Sequence, residues 1–272
     1  ADHLFAQFDK ALILKAHAVL SKVELPEEWE TMTRGRRNLA PQQERGTTVN
    51  VSQQASAQAA ALAGASALSP RDALNAVKLP TLEEFFVAHG ILTRQPRVVR
   101  PFHRRIFQAV TRWVSGTLPG GARNLAICIP PRHGKTYIAR DLVAWGLMCF
   151  PDSEWIYTAS SATLAIAQTL AIKECCASDW YRRIAPYVGV QPGKGRQDYF
   201  RTTAGGAVYG VGAEGALTGF GAGKKRPEFG GGILIDDPIQ ALDALTVRRE
   251  KCNLWYSQAL YSRRNAAHTP IL

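Results

Sequence analysis

The feature that most restricts this sequence is the run Ile129-Pro-Pro-Arg-His-Gly-Lys-Thr136, set between an apolar run, Leu125 to Ile129, and a segment with helical spacing, Thr136 to Met148. A strand, a turn ending in Gly-Lys-Thr and a helix together form the arrangement in which backbone N–H groups and a helix N-terminus cradle phosphates. In that arrangement Lys135 reaches the β and γ phosphates of ATP, the Thr136 hydroxyl ligates magnesium, and Gly134 lets the backbone come close to phosphate. Pro131, Arg132 and His133 complete the loop. Ile129 replaces the first glycine of the G-x-x-x-x-G-K-[ST] pattern, so the reading rests on the strand and helix around the loop as much as on the pattern.

A second half of the same site is expected in Gly232-Ile-Leu-Ile-Asp-Asp-Pro238, where an apolar strand, Gly232 to Ile235, delivers two carboxylates at its C-terminal end. That end of an open α/β sheet is where ligands bind. Asp236 is read as the magnesium carboxylate and Asp237 as the general base that polarises an attacking water. About 100 residues separate Lys135 from Asp236, which leaves room for intervening strands.

Around these motifs the order is α/β. Trp155 to Ala159 reads as a buried strand, Asp243 to Arg263 as a long helix carrying Trp255, Tyr256 and Leu260, and Thr269 to Leu272 as the start of another strand. Upstream, Thr81 and Glu84 form a capping box for a helix through Ala88, and Asp72 to Val77 reads as helical. Residues 1–35 form an N-terminal segment with an amphipathic helix over 3–24, 36–70 an Ala-, Gln- and Ser-rich linker, and 71–272 the main domain.

The formal net charge of +11 favours a polyanionic partner, because clustered Lys and Arg release counterions from a phosphate backbone. No run approaches the roughly 20 apolar residues of a membrane span, and the first residues lack a signal-peptide layout, so a cytoplasmic protein is expected. The five cysteines form no C-x-x-C pair, which argues against a zinc or disulfide framework.

Five ordered segments carry a family resemblance: Pro130 to Thr136, Ser178-Asp-Trp-Tyr-Arg-Arg183, Phe200-Arg-Thr-Thr-Ala-Gly-Gly206, Gly215-Ala-Leu-Thr-Gly219 and Ile233-Leu-Ile-Asp-Asp-Pro238. Residues 80–272 resemble the large terminase subunits of tailed phages, in the branch whose Walker A loop reads Pro-Pro-Arg-His-Gly-Lys-[Ser/Thr]. The resemblance implies a RecA-like, additional-strand P-loop ATPase with a central, mostly parallel sheet flanked by helices and a helical or disordered N-terminal arm. It further implies a homo-oligomeric ring on the capsid portal protein, in the host cytoplasm, that drives double-stranded DNA into the procapsid alongside a small terminase subunit. Arg132 matches an arginine that contacts the γ phosphate from the same subunit, and Arg100-Pro-Phe-His-Arg-Arg-Ile-Phe107 resembles the segment beside the adenine, with Phe102 or His103 able to stack on the base. Gly205 to Gly223 resembles the loop before the Walker B strand, followed by the basic Lys224-Lys-Arg226; it reads equally as a DNA-gripping loop or a solvated hairpin tip.

Departures from the family pattern are also visible. The arginine that would reach a neighbouring subunit falls at Leu170, with Lys173 and Arg182 as substitutes. The coupling motif and the RNase H-like nuclease domain expected in the parent protein would follow Leu272. Leu25-Pro-Glu-Glu-Trp29 and Thr47-Thr-Val-Asn-Val51 are similar to the tail of a small terminase subunit. Two other functions fit part of the pattern, another RecA-like DNA translocase or helicase, and a DNA-binding or capsid-docking module without turnover.

Overall fold

The computed structural model describes residues 79–192, 196–239 and 247–272. The N-terminal helix, the linker and the helix expected at Asp72 to Val77 lie outside the described residues. From Thr81 on, these residues belong to one compact unit.

The first helix, α1 (Leu82–Leu92), begins as the sequence predicts. The Thr81 hydroxyl accepts from the Glu84 N–H (3.3 Å) and the Glu84 carboxylate accepts from the Thr81 N–H (2.8 Å), which satisfies two otherwise orphaned donors. The helix then runs one turn past Ala88, because Phe85, Phe86 and Val87 are buried and packing carries it on. Helix α2 (Pro101–Ser115) has proline in its first turn and ends at Gly116 in the left-handed conformation (φ 70°). Helix α3 (Lys135–Cys149) follows the turn that ends at Gly134, α4 (Ala162–Ala177) starts at Ser161, whose hydroxyl accepts from the Leu164 N–H, and α5 (Asp179–Ile184) is a short helix.

Four strands, β1 (Glu154–Ala159), β2 (Tyr199–Arg201), β3 (Ala207–Gly212) and β4 (Ile233–Asp236), form a sheet in the order β2-β3-β1-β4. Strand β1 is central and parallel to both β3 and β4, while β2 runs antiparallel to β3. Both faces are covered, which is why the parallel strands read as near-continuous apolar runs rather than alternating ones. On the face of Trp155 and Tyr157 the contact is with α3 and α4: a Cβ at Gly146 would overlap the Trp155 ring, and one at Gly210 would overlap Thr169. On the other face Ile156, Tyr209, Val211 and Ile233 pack with Leu217 and Ala222 and with Leu260 from the C-terminal helical run.

That run is α6 (Val247–Trp255), a π turn over Tyr256–Leu260 and a 3₁₀ turn over Tyr261–Arg263. The single helix expected from Asp243 to Arg263 is thus broken in type though continuous in path, and its first residues lie outside those described. Widening the turn brings Leu260 into the core while Leu254 and Tyr261 stay exposed.

The expected strand from Leu125 to Ile129 has a different form. Only its first residues are paired: Asn124 bridges Ile271 in parallel, with the Leu125 N–H donating to the Ile271 carbonyl (2.9 Å). The same C-terminal segment pairs with β4 on its other side through Ile233 N–H to Pro270 O, Leu272 N–H to Ile233 O and Ile235 N–H to Leu272 O. Pro270–Leu272 therefore lies between β4 and the segment that leads toward α3. Among the described residues Ala126 to Ile129 form no ladder, although they keep alternating exposure.

A buried polar cluster ties α1 to α3. Asp141, with no exposed surface, pairs with His89 Nδ1 (2.8 Å) and with the Arg97 guanidinium, which also donates to the Phe86 carbonyl and lies over the Phe86 and Tyr137 rings. Removing one partner of such a group strands the others without water. Asp141→Ala is expected to cost about 3–5 kcal/mol, which lowers the melting temperature by roughly 6–20 °C for a domain of this size. Thermal unfolding followed by circular dichroism measures this, and an unchanged melting temperature would refute it.

Candidate functional site

Both halves of the predicted site line one cleft, walled by Ile127, Ile129, Lys135, Leu234, Asp236 and Asp237 among others. Helix α3 supplies the phosphate-loop side. Gly134, in the left-handed conformation (φ 82°), is its N-cap, with no side-chain cap and no acidic residue in the first turn. The first-turn N–H groups of a 15-residue helix are thus left for an external acceptor, and the partial positive charge there is uncompensated by any acid in that turn. An anion such as a phosphate fits that end. Lys135 and half-buried Thr136 are the first two helical residues, so their side chains start from this same turn.

Strand β4 supplies the carboxylates. The Tyr157 hydroxyl donates to Asp236 Oδ2 at 2.7 Å, and Asp236 ends the strand. Burial, followed by the Asp236 charge, pushes the Tyr157 hydroxyl far above its ordinary value, so it remains a donor at any working pH. One Asp236 oxygen is thereby held by the Tyr157 hydroxyl. Lys135 Nζ lies 2.7 Å from Asp237 Oδ1, which brings the predicted phosphate lysine and the predicted general base into direct contact.

Among the described non-glycine residues only Arg94, Arg132, Glu214 and Asp237 have positive φ, and two of these four flank the site, Arg132 at 63° and Asp237 at 45°. Backbone of this kind costs about 1–3 kcal/mol per residue and persists where the surroundings over-determine it. Arg132 is exposed and pairs with no described acid. The Pro131 carbonyl sits 2.8 Å from His133 Nδ1, closing the loop on itself.

No model of a known protein family matches this chain, and no curated protein matches it.

The two aromatic residues expected beside the adenine are placed differently from one another. Phe102 is half-buried, with its ring 5.6 Å from that of His133. His103 is buried and both its ring nitrogens are engaged, with Arg100 N–H and with the His133 carbonyl, each at 3.0 Å. The Phe102 ring also packs beside that of His103, with centroids 4.0 Å apart.

The basic Lys224-Lys-Arg226 is largely committed to ion pairs. Lys224 reaches Glu154 (2.6 Å), and Arg226 grips Asp152 with two bonds (2.6 and 2.8 Å), leaving Lys225 exposed. Burial works to raise the Asp152 carboxyl, but the Arg226 and Lys224 charges outweigh it and hold the group below its ordinary value. The glycine-rich loop is fastened too: Trp255 Nε1 donates to the Gly215 carbonyl (2.9 Å), the Tyr209 hydroxyl to that of Ala216 (3.0 Å), and Phe220 stacks on Tyr209. Within this stretch 207–212 form strand β3, and Glu214, Ala216, Thr218 and Gly219 after it are exposed. Arg182 is bonded to Asp179 on α5, and Lys173 is half-exposed on α4.

Tyr157 had no signal in the linear pattern. It becomes visible only through register: Tyr157 faces Leu234 across the β1 and β4 ladder, so it shares a sheet face with Asp236 two residues on.

Proposed function

We propose that this chain is the ATP-hydrolysing motor domain of a viral large terminase, a RecA-like ATPase that couples hydrolysis to translocation of double-stranded DNA into a capsid. The observation that carries the reading is the convergence of an uncapped helix N-terminus, Lys135, Asp236 and Asp237 in one cleft at the C-terminal end of parallel strands. The position of Pro270–Leu272, between β4 and the segment entering the phosphate loop, supports the additional-strand arrangement over a simpler kinase-like sheet.

In this reading the first-turn N–H groups of α3 and Lys135 bind the β and γ phosphates, and Thr136 and Asp236 hold magnesium. Magnesium held there would supply charge neutralisation on the transferred phosphoryl group. Asp237 gives up its contact with Lys135 when phosphate arrives and is then free to orient the attacking water. Arg132 lies on the exposed lip of the loop, where it can approach the γ phosphate from the same subunit. Duplex DNA, the portal protein, a small terminase subunit and a ring of identical subunits are the partners proposed on the family resemblance, in the bacterial host cytoplasm and at the procapsid. Among the described residues no helix is long and apolar enough to cross a membrane.

The test is steady-state ATP hydrolysis by the purified chain with and without double-stranded DNA, alongside calorimetric titration with magnesium-ATP. Turnover that rises with DNA is the expected result. Failure to bind magnesium-ATP at all would overturn the nucleotide site, and turnover indifferent to DNA would overturn the motor.

A further inference from the structure

His103 occupies the first turn of α2 yet bonds to the phosphate loop 30 residues away. Its two hydrogen bonds fix its state. The Arg100 N–H can only donate, so Nδ1 accepts; the His133 carbonyl can only accept, so Nε2 carries the proton and donates. One neutral tautomer satisfies both, and the ring is packed against Phe86 and Phe102 with centroids 6.2 and 4.0 Å away. Burial outweighs the opposing pull of the hydrogen bond to the His133 carbonyl and, with smaller contributions from the His133 and Arg100 charges, holds the imidazole below its ordinary pKa and in this neutral form.

The geometry has a direct effect on the loop. The His133 carbonyl and the Gly134 N–H belong to one planar peptide unit, and among the described residues no peptide is cis. Drawing the carbonyl toward α2 therefore turns the Gly134 N–H away from α2. The imidazole sits beside Gly134, where an added Cβ would lie 3.8 Å from His103 Nε2.

We infer that His103 is a positioning residue of the phosphate loop: through the His133 carbonyl it sets the orientation of the peptide that opens α3, and it does not serve as the base-stacking ring. This assignment rests on the nucleotide reading above for its consequence, but the contact itself does not.

Two variants separate the roles. His103→Phe keeps a flat ring and removes the donor, whereas His103→Gln keeps an amide N–H donor at similar reach and removes the ring. The ligands are magnesium-ATP and magnesium-tripolyphosphate, titrated by calorimetry, and hydrogen exchange over residues 131–137 is followed in the nucleotide-free protein, with β1 and β3 amides as the control for an intact sheet. His103→Phe is expected to weaken both ligands equally, by about tenfold, the effect of losing one hydrogen bond, and to speed exchange in the loop. His103→Gln is expected to stay within about threefold of the parent for both. Parental affinity and parental loop exchange in His103→Phe would overturn the inference, as would a selective loss of ATP over tripolyphosphate in His103→Gln, the signature of base stacking. If the parent bound neither ligand, the nucleotide reading would fall, and loop exchange alone would still decide whether His103 holds the loop.

Discussion

Lys135→Ala is expected to abolish ATP turnover and to weaken magnesium-ATP binding by on the order of 100-fold, the loss of two charge-assisted hydrogen bonds at about 1.5 kcal/mol each. The folded protein should barely register the change. The ion pair that Lys135 makes with Asp237 is exposed, with side chains 25% and 67% accessible, and pairs of that kind contribute about 0–1 kcal/mol. A loss of binding at nearly unchanged melting temperature is therefore the expected signature. Parental magnesium-ATP affinity in Lys135→Ala, measured by calorimetry, would remove Lys135 from the phosphate site.

Asp237→Asn is expected to act on the other half of the reaction. Asparagine tolerates the left-handed backbone that Asp237 adopts at φ 45°, so the loop after β4 keeps its shape. A general base contributes about 10²–10⁴-fold, and turnover should fall by that factor. Binding should move the opposite way. The carboxylate that occupies Lys135 in the nucleotide-free chain would be gone, and releasing an exposed pair worth up to about 1 kcal/mol permits up to about fivefold tighter magnesium-ATP. Turnover and affinity thus separate within one variant. An Asp237→Asn protein that hydrolysed ATP at the parental rate would show that the water is oriented by some other group.

The parts of the fold that the sequence made legible are those set by near neighbours. The capping box at Thr81 and Glu84 needs only three residues and two hydrogen bonds, and it stands as read. Helix α3 and strands β1 and β4 were each found within one residue at either end, because their apolar runs are long enough to mark a buried element. The run at Leu125 to Ile129 was expected as a strand, but its pairing is confined to its start, through Asn124 and Leu125 to Ile271, because a local apolar run does not disclose which distant backbone will face it. The ion pairs of Lys224-Lys-Arg226 were not legible either, since charge in a linear pattern does not disclose Glu154 on β1 and Asp152 just before it as the partners of Lys224 and Arg226.

Gly134, Lys135, Thr136, Asp236 and Asp237 were legible as a candidate site because phosphate chemistry demands those residue types at the ends of a strand and a helix, where local spacing alone specifies them. Which groups hold those residues in place was decided by tertiary structure. Tyr157 reaches Asp236 through sheet register, His103 reaches the loop through the packing of α2, and Asp141 reaches Arg97 and His89 through the packing of α1 on α3. These contacts join residues 30 to 79 positions apart. No periodicity or short motif encodes such a pairing, because it depends on where the chain returns to itself.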